Sequence, residues 1–224
     1  MPTELTDSLT LLNKPDLAKA MYHAWNELFG DYPKKESLWV LLAQIQLETG
    51  MKYCHNWNLG NCKSVEGDGH DYQFYGCGEE LPSGVAQHAV ASSPLVAIKR
   101  VYTANGQQMA SVWIEPDHPW CRFRAFESLE LGAADHLVLM SKRFSKAWPA
   151  VVQGSPAVFA HLLKLQHYYT APEEQYAHTL TSCYNDWSKV PVDYDTVEPL
   201  TDDEKSKIQN LVALTMAASL DETV

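Results

Sequence analysis

Apolar positions along the chain follow two periods, and the change from one to the other sets out its organisation. From Pro15 to Phe29, PDLAKAMYHAWNELF, residues Leu17, Met21, Trp25 and Leu28 recur at the three-and-four spacing that lines one face of a helix. Pro15 suits the first turn and Gly30 the stop. A second helical stretch, SLWVLLAQIQLETG, runs from Ser37 to Gly50. Leu38, Leu41, Leu42 and Ile45 keep the same spacing, and Val40 and Leu47 widen the apolar face. Its last two turns carry a single charged side chain, Glu48.

After Gly50 the helical period breaks. Residues 51–94 hold six glycines among many polar residues, which predicts loop with short strands and no helix. Val96–Tyr102 and Gln108–Ile114 then alternate or run in β-branched residues about Asn105-Gly106, a hairpin signal. From Phe123 the helical period returns. It predicts helices over Leu129–Arg143 with Ser128 as N-cap, over Pro156–His167, and over Pro172–Trp187 with Tyr176, Leu180, Cys183 and Tyr184 on one face. VPVDYDTVEP reads as an extended linker, and Thr201–Leu220 as a last amphipathic helix with Thr201 and Glu204 spaced as a capping box. The fold class expected is α+β and mainly helical, with a small β-hairpin lobe. One domain is expected over residues 1–190 with its β lobe at about 51–122, and residues 191–224 add a linker and a helix that packs on or near it.

Charge narrows the partners. With 28 acidic against 17 basic residues the net charge is −11, which argues against nucleic acid, whose phosphates need a basic stripe. The opening MPTELTDSLTLLNK has no basic region followed by a long apolar run, so neither a signal peptide nor a membrane span is expected. The five cysteines form no CxxC pair and no zinc-type spacing, and the chain has no P-loop, GxGxxG or HExxH. No metal and no cofactor are expected. Cys54 and Cys62 are near enough in sequence to bridge a short loop, but free thiols are the expected state in cytosol. Seven Trp and eleven Tyr supply flat faces that fill cores and also stack on sugar rings.

Glu48 is where this pattern meets chemistry. A carboxylate beside so much apolar surface is hard to ionise, so its pKa is expected to rise. A raised carboxyl pKa is what a general acid acting on a glycosidic oxygen needs.

Five blocks, in order, give the chain a family likeness: AQIQLETG (Ala43 to Gly50), NWNLGNCKS (Asn56 to Ser64), VAIKRVYTANG (Val96 to Gly106), FRAFESLELGAADHLVLM (Phe123 to Met140) and HYYTAP (His167 to Pro172). Their order and spacing resemble the lysozyme-like glucosaminidases of the bacterial cell wall, the group that includes the flagellar muramidase, autolysins and phage lysins. The chain is similar, more distantly, to the lytic transglycosylases. The resemblance implies a lysozyme-like helical core and peptidoglycan glycan strands as substrate, cut at a β-1,4 bond between N-acetylglucosamine and N-acetylmuramic acid. It implies that Glu48 is the general acid and that Asn58 and Leu59, with Trp57 beside them, lie in the block lining the substrate groove. Tyr102 of the hairpin is expected to be a further substrate-binding residue. Tyr168 falls on the tyrosine that opens the family's YATDP-like stretch, where its hydroxyl helps hold the reacting geometry.

One departure matters. Many family members carry a second carboxylate in a hairpin stretch like TTEYENG; set against KRVYTANG, that position is Val101. Glu66, Asp68, Glu79, Glu80 and Glu115 are the other acids of the lobe, and Glu79 and Glu80, ending the aromatic YQFYGCGEE run, rank first. Glu80 is taken as the second catalytic acid. Two alternatives stay open: a lytic transglycosylase that leaves anhydro-muropeptides, and a sugar-binding module without turnover. With no export signal, the protein would be made in the cytoplasm and reach the wall by phage-type release or injection, with a carrier, phage or immunity protein as partner.

Overall fold

The computed structural model describes residues 1–104, 106–194 and 199–221. The fold is α+β, about 49% helical, with eight α-helices among the described residues and small antiparallel sheets. The chain divides into two compact units. The first is Met1–Asp7 with Cys62–Arg124, and the second is Ser8–Asn61 with the chain from Ala125 onward.

In the second unit a short strand β1 (Leu9–Leu11) leads into α1 (Lys14–Phe29). Asn13 caps α1 by accepting from the Asp16 N–H, and Gly30 closes it at φ 78°, a left-handed conformation that glycine adopts without penalty. Leu17, Met21 and Trp25 are buried, while Leu28 is only half-buried. Helix α2 (Lys35–Thr49) starts two residues ahead of the predicted Ser37 and ends, as predicted, on Gly50. Leu38, Val40, Leu41, Leu42 and Ile45 are all 0% exposed, so this helix is walled by core for most of its length. β2 (Tyr53–His55) then pairs antiparallel with β1, Leu9 opposite His55.

The first unit holds the other strands. β3 (Tyr72–Phe74) and β4 (Cys77–Pro82) lead to α3 (Ser83–Ser92). This helix corrects the expectation that residues 51–94 contain none. SGVAQHAVAS is rich in alanine, the best helix former, and buries Ser83 and Ala86; the glycines around it hid so short an element. β5 (Val96–Ala104) and β6 (Gln107–Ile114) form the predicted hairpin and run further toward the turn than predicted. Gly106 is left-handed at φ 78°, and Asn105 of the predicted turn lies outside the described residues. The sheet order is β4-β6-β5, all antiparallel. β7 (Arg122–Arg124) pairs back with β3. Tyr75, Val96, Val112, Ile114, Cys121 and Phe123 share this unit's core, where Tyr75 and Phe123 stack at 4.0 Å.

The rest of the second unit is helical. Ser128 caps α4 (Leu129–Val138) through the Leu131 N–H, and a π-helical turn, Leu139–Arg143, completes the predicted stretch. A short α5 (Trp148–Val152) was not signalled by periodicity. α6 (Pro156–Leu165) and α7 (Glu173–Trp187) follow, with Tyr176, Leu180 and Cys183 buried and Tyr184 half-buried. The linker after Trp187 lies partly outside the described residues. α8 (Asp202–Asp221) carries the predicted capping box: Glu204 accepts from the Thr201 N–H at 2.7 Å, and Thr201 Oγ1 accepts from the Glu204 N–H at 3.3 Å. Ile208 is fully buried, and Lys207 and Gln209 reach Glu127 and Glu27 at 2.9 and 3.0 Å. The last helix thus belongs to the second unit's core, packed on α1 and α4.

Candidate functional site

The apolar wall of α2 is interrupted at one turn. Gln44 and Glu48 are four residues apart and therefore neighbours on one face near the helix end. Gln44 is fully buried, and its Nε2 donates to the Tyr168 hydroxyl and, at 3.4 Å, to Oε1 of Glu48. Tyr176 of α7, itself buried, donates its hydroxyl to the same oxygen at 3.5 Å. Glu48 keeps part of its surface exposed.

Two consecutive tyrosines build the surround. His167, left-handed at φ 58°, turns the chain out of α6, and the Tyr168 N–H bonds back to the Leu163 carbonyl at 3.0 Å. The Tyr168 ring stands edge-on to Phe144, with centroids 4.9 Å apart. Tyr169 turns the other way: its ring stacks on Tyr176 at 3.7 Å and its hydroxyl donates to the Ala160 carbonyl at 3.0 Å. That stack fixes the Tyr176 ring and thereby aims its hydroxyl at Glu48.

Burial pushes the Glu48 carboxyl above the ordinary glutamate range. Hydrogen bonds from Tyr168, Tyr176 and Gln44 favour the ionised form and take back part of that rise. The Tyr176 phenol is raised by its burial and then by the negative charge of Glu48, so it stays protonated and acts as a donor. The product is a half-exposed carboxyl that holds its proton to higher pH than a free glutamate and is fixed by three polar neighbours.

The other residues singled out by sequence fall in two places. Trp57, Asn58 and Leu59 lie on the loop after β2, in the same unit as Glu48. Asn58 and Leu59 are each 1% exposed, and Leu59 is a core side chain. Both are thus packed inside the fold, with almost no surface of their own. Trp57 remains half-exposed, held at φ 56°, a strained conformation for an aromatic residue. Gly132 of α4 makes room for it: a Cβ there would stand 2.1 Å from the Trp57 carbonyl oxygen.

Glu80 and Tyr102 belong to the first unit. The Tyr102 hydroxyl donates to Glu80 Oε2 at 2.6 Å, and Glu80 is exposed. Glu79 pairs with Lys63 at 3.2 Å. Asp68 accepts from Ser64, Val65 and His70 and so organises its own turn. Glu66 and Glu115 are exposed, and Val101, where the family pattern has its second carboxylate, is 53% exposed on β5.

Sequence reasoning missed Gln44 and Tyr176. The signal for Gln44 was available: a polar side chain one turn before Glu48 on an apolar face. Tyr176 was indistinguishable from its core neighbours Leu180 and Cys183. Elsewhere in this unit a recess of about 390 Å³ is lined by residues including Asp16, His23, Glu130 and Glu204, and Glu48 is not among them. Among the described residues no group of three or more His, Cys, Asp or Glu is placed to hold a metal ion, and no helix is long and apolar enough to cross a membrane. Comparison with known proteins gives no match, whether to family models, to curated proteins or to solved structures.

Proposed function

We propose that the protein cleaves the glycan strands of peptidoglycan, with Glu48 as the general acid of a lysozyme-like enzyme. The observation that carries this reading is the Glu48 carboxyl itself, raised by burial yet partly exposed and held by Tyr176, Gln44 and Tyr168. Such a group holds its proton to higher pH than a free glutamate and gives it to the leaving glycosidic oxygen as the bond to the anomeric carbon breaks. Tyr168 and Tyr176 then stabilise the carboxylate that remains, since each hydroxyl bonds the ionised form. The order of the five sequence blocks supports peptidoglycan as the substrate. In an inverting hydrolysis a second carboxyl, roughly 6.5–9.5 Å from the first, activates water. The sequence reading gives that role to Glu80.

A second reading has a specific observation in its favour. Val101 stands where a hairpin carboxylate is expected, and the Glu80 carboxylate is already engaged by Tyr102. With Glu48 as sole acid, a muramic hydroxyl attacks the anomeric carbon intramolecularly and leaves an anhydro sugar, the lytic transglycosylase product. Mass spectrometry of fragments released from purified sacculi separates the two. Hydrolysis gives reducing ends, and transglycosylation gives anhydro-muropeptides. Glu48→Gln is expected to release neither while still binding sacculi; full release by Glu48→Gln contradicts both. Binding by the wild-type protein with no release marks a sugar-binding module.

A further inference from the structure

Each of the five cysteines is a thiol, and the fold brings two of them together that the sequence did not pair. Cys77, the first residue of β4, and Cys121, in the 3-10 turn Pro119–Cys121 just before β7, lie 44 residues apart in sequence with their Sγ atoms 3.4 Å apart. Cys54, by contrast, is turned to Thr10 Oγ1 at 3.3 Å. A disulfide needs sulfurs at about 2.05 Å, and these two already stand within contact distance of each other.

We propose that Cys77 and Cys121 are a reversible redox pair, joined by thiol–disulfide exchange with a small-molecule disulfide such as oxidised glutathione. The two sulfurs differ in reach. Cys77 is partly exposed, within reach of a small molecule, and the Lys63 ammonium stands 3.6 Å from its Sγ. Cys121 is fully buried, donates its S–H to the Ile114 carbonyl at 3.4 Å, and has its thiol pushed up to about 12, first by burial and then by Cys77. Cys77 therefore attacks first: its sulfur bonds one glutathione sulfur, the glutathione S–S bond breaks, and one glutathione thiol leaves. Cys121 then gives its proton to water and attacks the Cys77 sulfur, forming the protein disulfide and expelling the second glutathione thiol. Two protein thiols are oxidised by two electrons, and one glutathione disulfide is reduced to two thiols. The buried Cys121 makes the second step the slower one, and it accelerates as pH rises. The bond ties the β4-β6-β5 sheet to the β3–β7 pair within the first unit.

The full-length protein, reduced and then incubated with oxidised glutathione, tests this by thiol titration and peptide mapping. The expected result is three titratable thiols in place of five, a linked pair of peptides carrying Cys77 and Cys121, and a dithiothreitol-reversible rise in Tm on the order of 10 °C. Cys121→Ser is expected to stop at a glutathione mixed disulfide on Cys77. Five thiols after exhaustive oxidation, or a Cys54–Cys62 link in place of Cys77–Cys121, overturns the proposal.

Discussion

Tyr176 donates its hydroxyl to Oε1 of Glu48 across 3.5 Å, from a point 128 residues further along the chain. The contact joins α2 to α7 at the one turn where the apolar face of α2 gives way to polar side chains. It also opposes the effect of burial, since a donor to the carboxylate favours ionisation while the apolar surround disfavours it. The balance falls on the side of burial, and the consequences of that sign can be measured.

Glu48 is expected to cost the protein stability at alkaline pH. Its folded-state pKa lies above that of the unfolded chain, so its contribution is fully present below the unfolded value and is lost as pH rises through the folded value. Glu48→Gln removes the charge that the fold resists. Thermal melts should show Glu48→Gln more stable than wild type at pH 8, with the difference shrinking as pH falls. A Tm for Glu48→Gln below wild type at pH 8 contradicts the burial argument.

Tyr176→Phe removes a donor to the Glu48 carboxylate, so the carboxyl is expected to hold its proton to still higher pH. The alkaline limb of kcat/KM on purified sacculi should move upward, and kcat should fall by about tenfold as the carboxylate left by proton transfer loses a partner. Gln44→Leu is expected to move the limb in the same direction. An unmoved limb in both variants removes these residues from the site.

Gly132→Ala should destabilise the second unit. The new methyl group would stand 2.1 Å from the Trp57 carbonyl oxygen, and that atom belongs to backbone held in a left-handed conformation. A loss of about 1–3 kcal/mol is expected, read from urea unfolding. Wild-type stability in this variant would mean that α4 does not fix the Trp57 loop.

His136 should make the protein acid-labile. Neither ring nitrogen has a hydrogen-bond partner among the described residues, and burial lowers the imidazole pKa to about 3 from an ordinary 6.5. The folded pKa is the lower one, so this contribution is present above pH 6.5 and is lost as pH falls toward about 3. At its steepest the loss is about 1.4 kcal/mol per pH unit. Chemical unfolding at pH 7 and pH 4 should show this loss in wild type, and a smaller one in His136→Leu.

Much of the helical unit was legible because its signals are local. Leu38, Leu41, Leu42 and Ile45 declare their face by spacing alone, Gly50 and Gly30 close their helices where expected, and Thr201 with Glu204 announces its cap. Helix α3 was not legible, because ten alanine- and serine-rich residues carry too little periodicity against a glycine-rich background. Within the site, Glu48 stood out as a charge on an apolar helix. Tyr176 did not, because its role depends on stacking against Tyr169, a contact no local pattern encodes. Asn58 and Leu59 were placed by resemblance, and burial of the loop under α4 turned them inward.

The most direct measurement is the titration of Glu48 itself, followed through the carboxyl carbon resonance of selectively labelled protein and identified by its absence in Glu48→Gln. The account predicts a pKa clearly above the ordinary glutamate value of 4.5, rising further in Tyr176→Phe. A Glu48 carboxyl that titrates at or below 4.5 would be a carboxylate at neutral pH with no proton to give, and would contradict the account at its base.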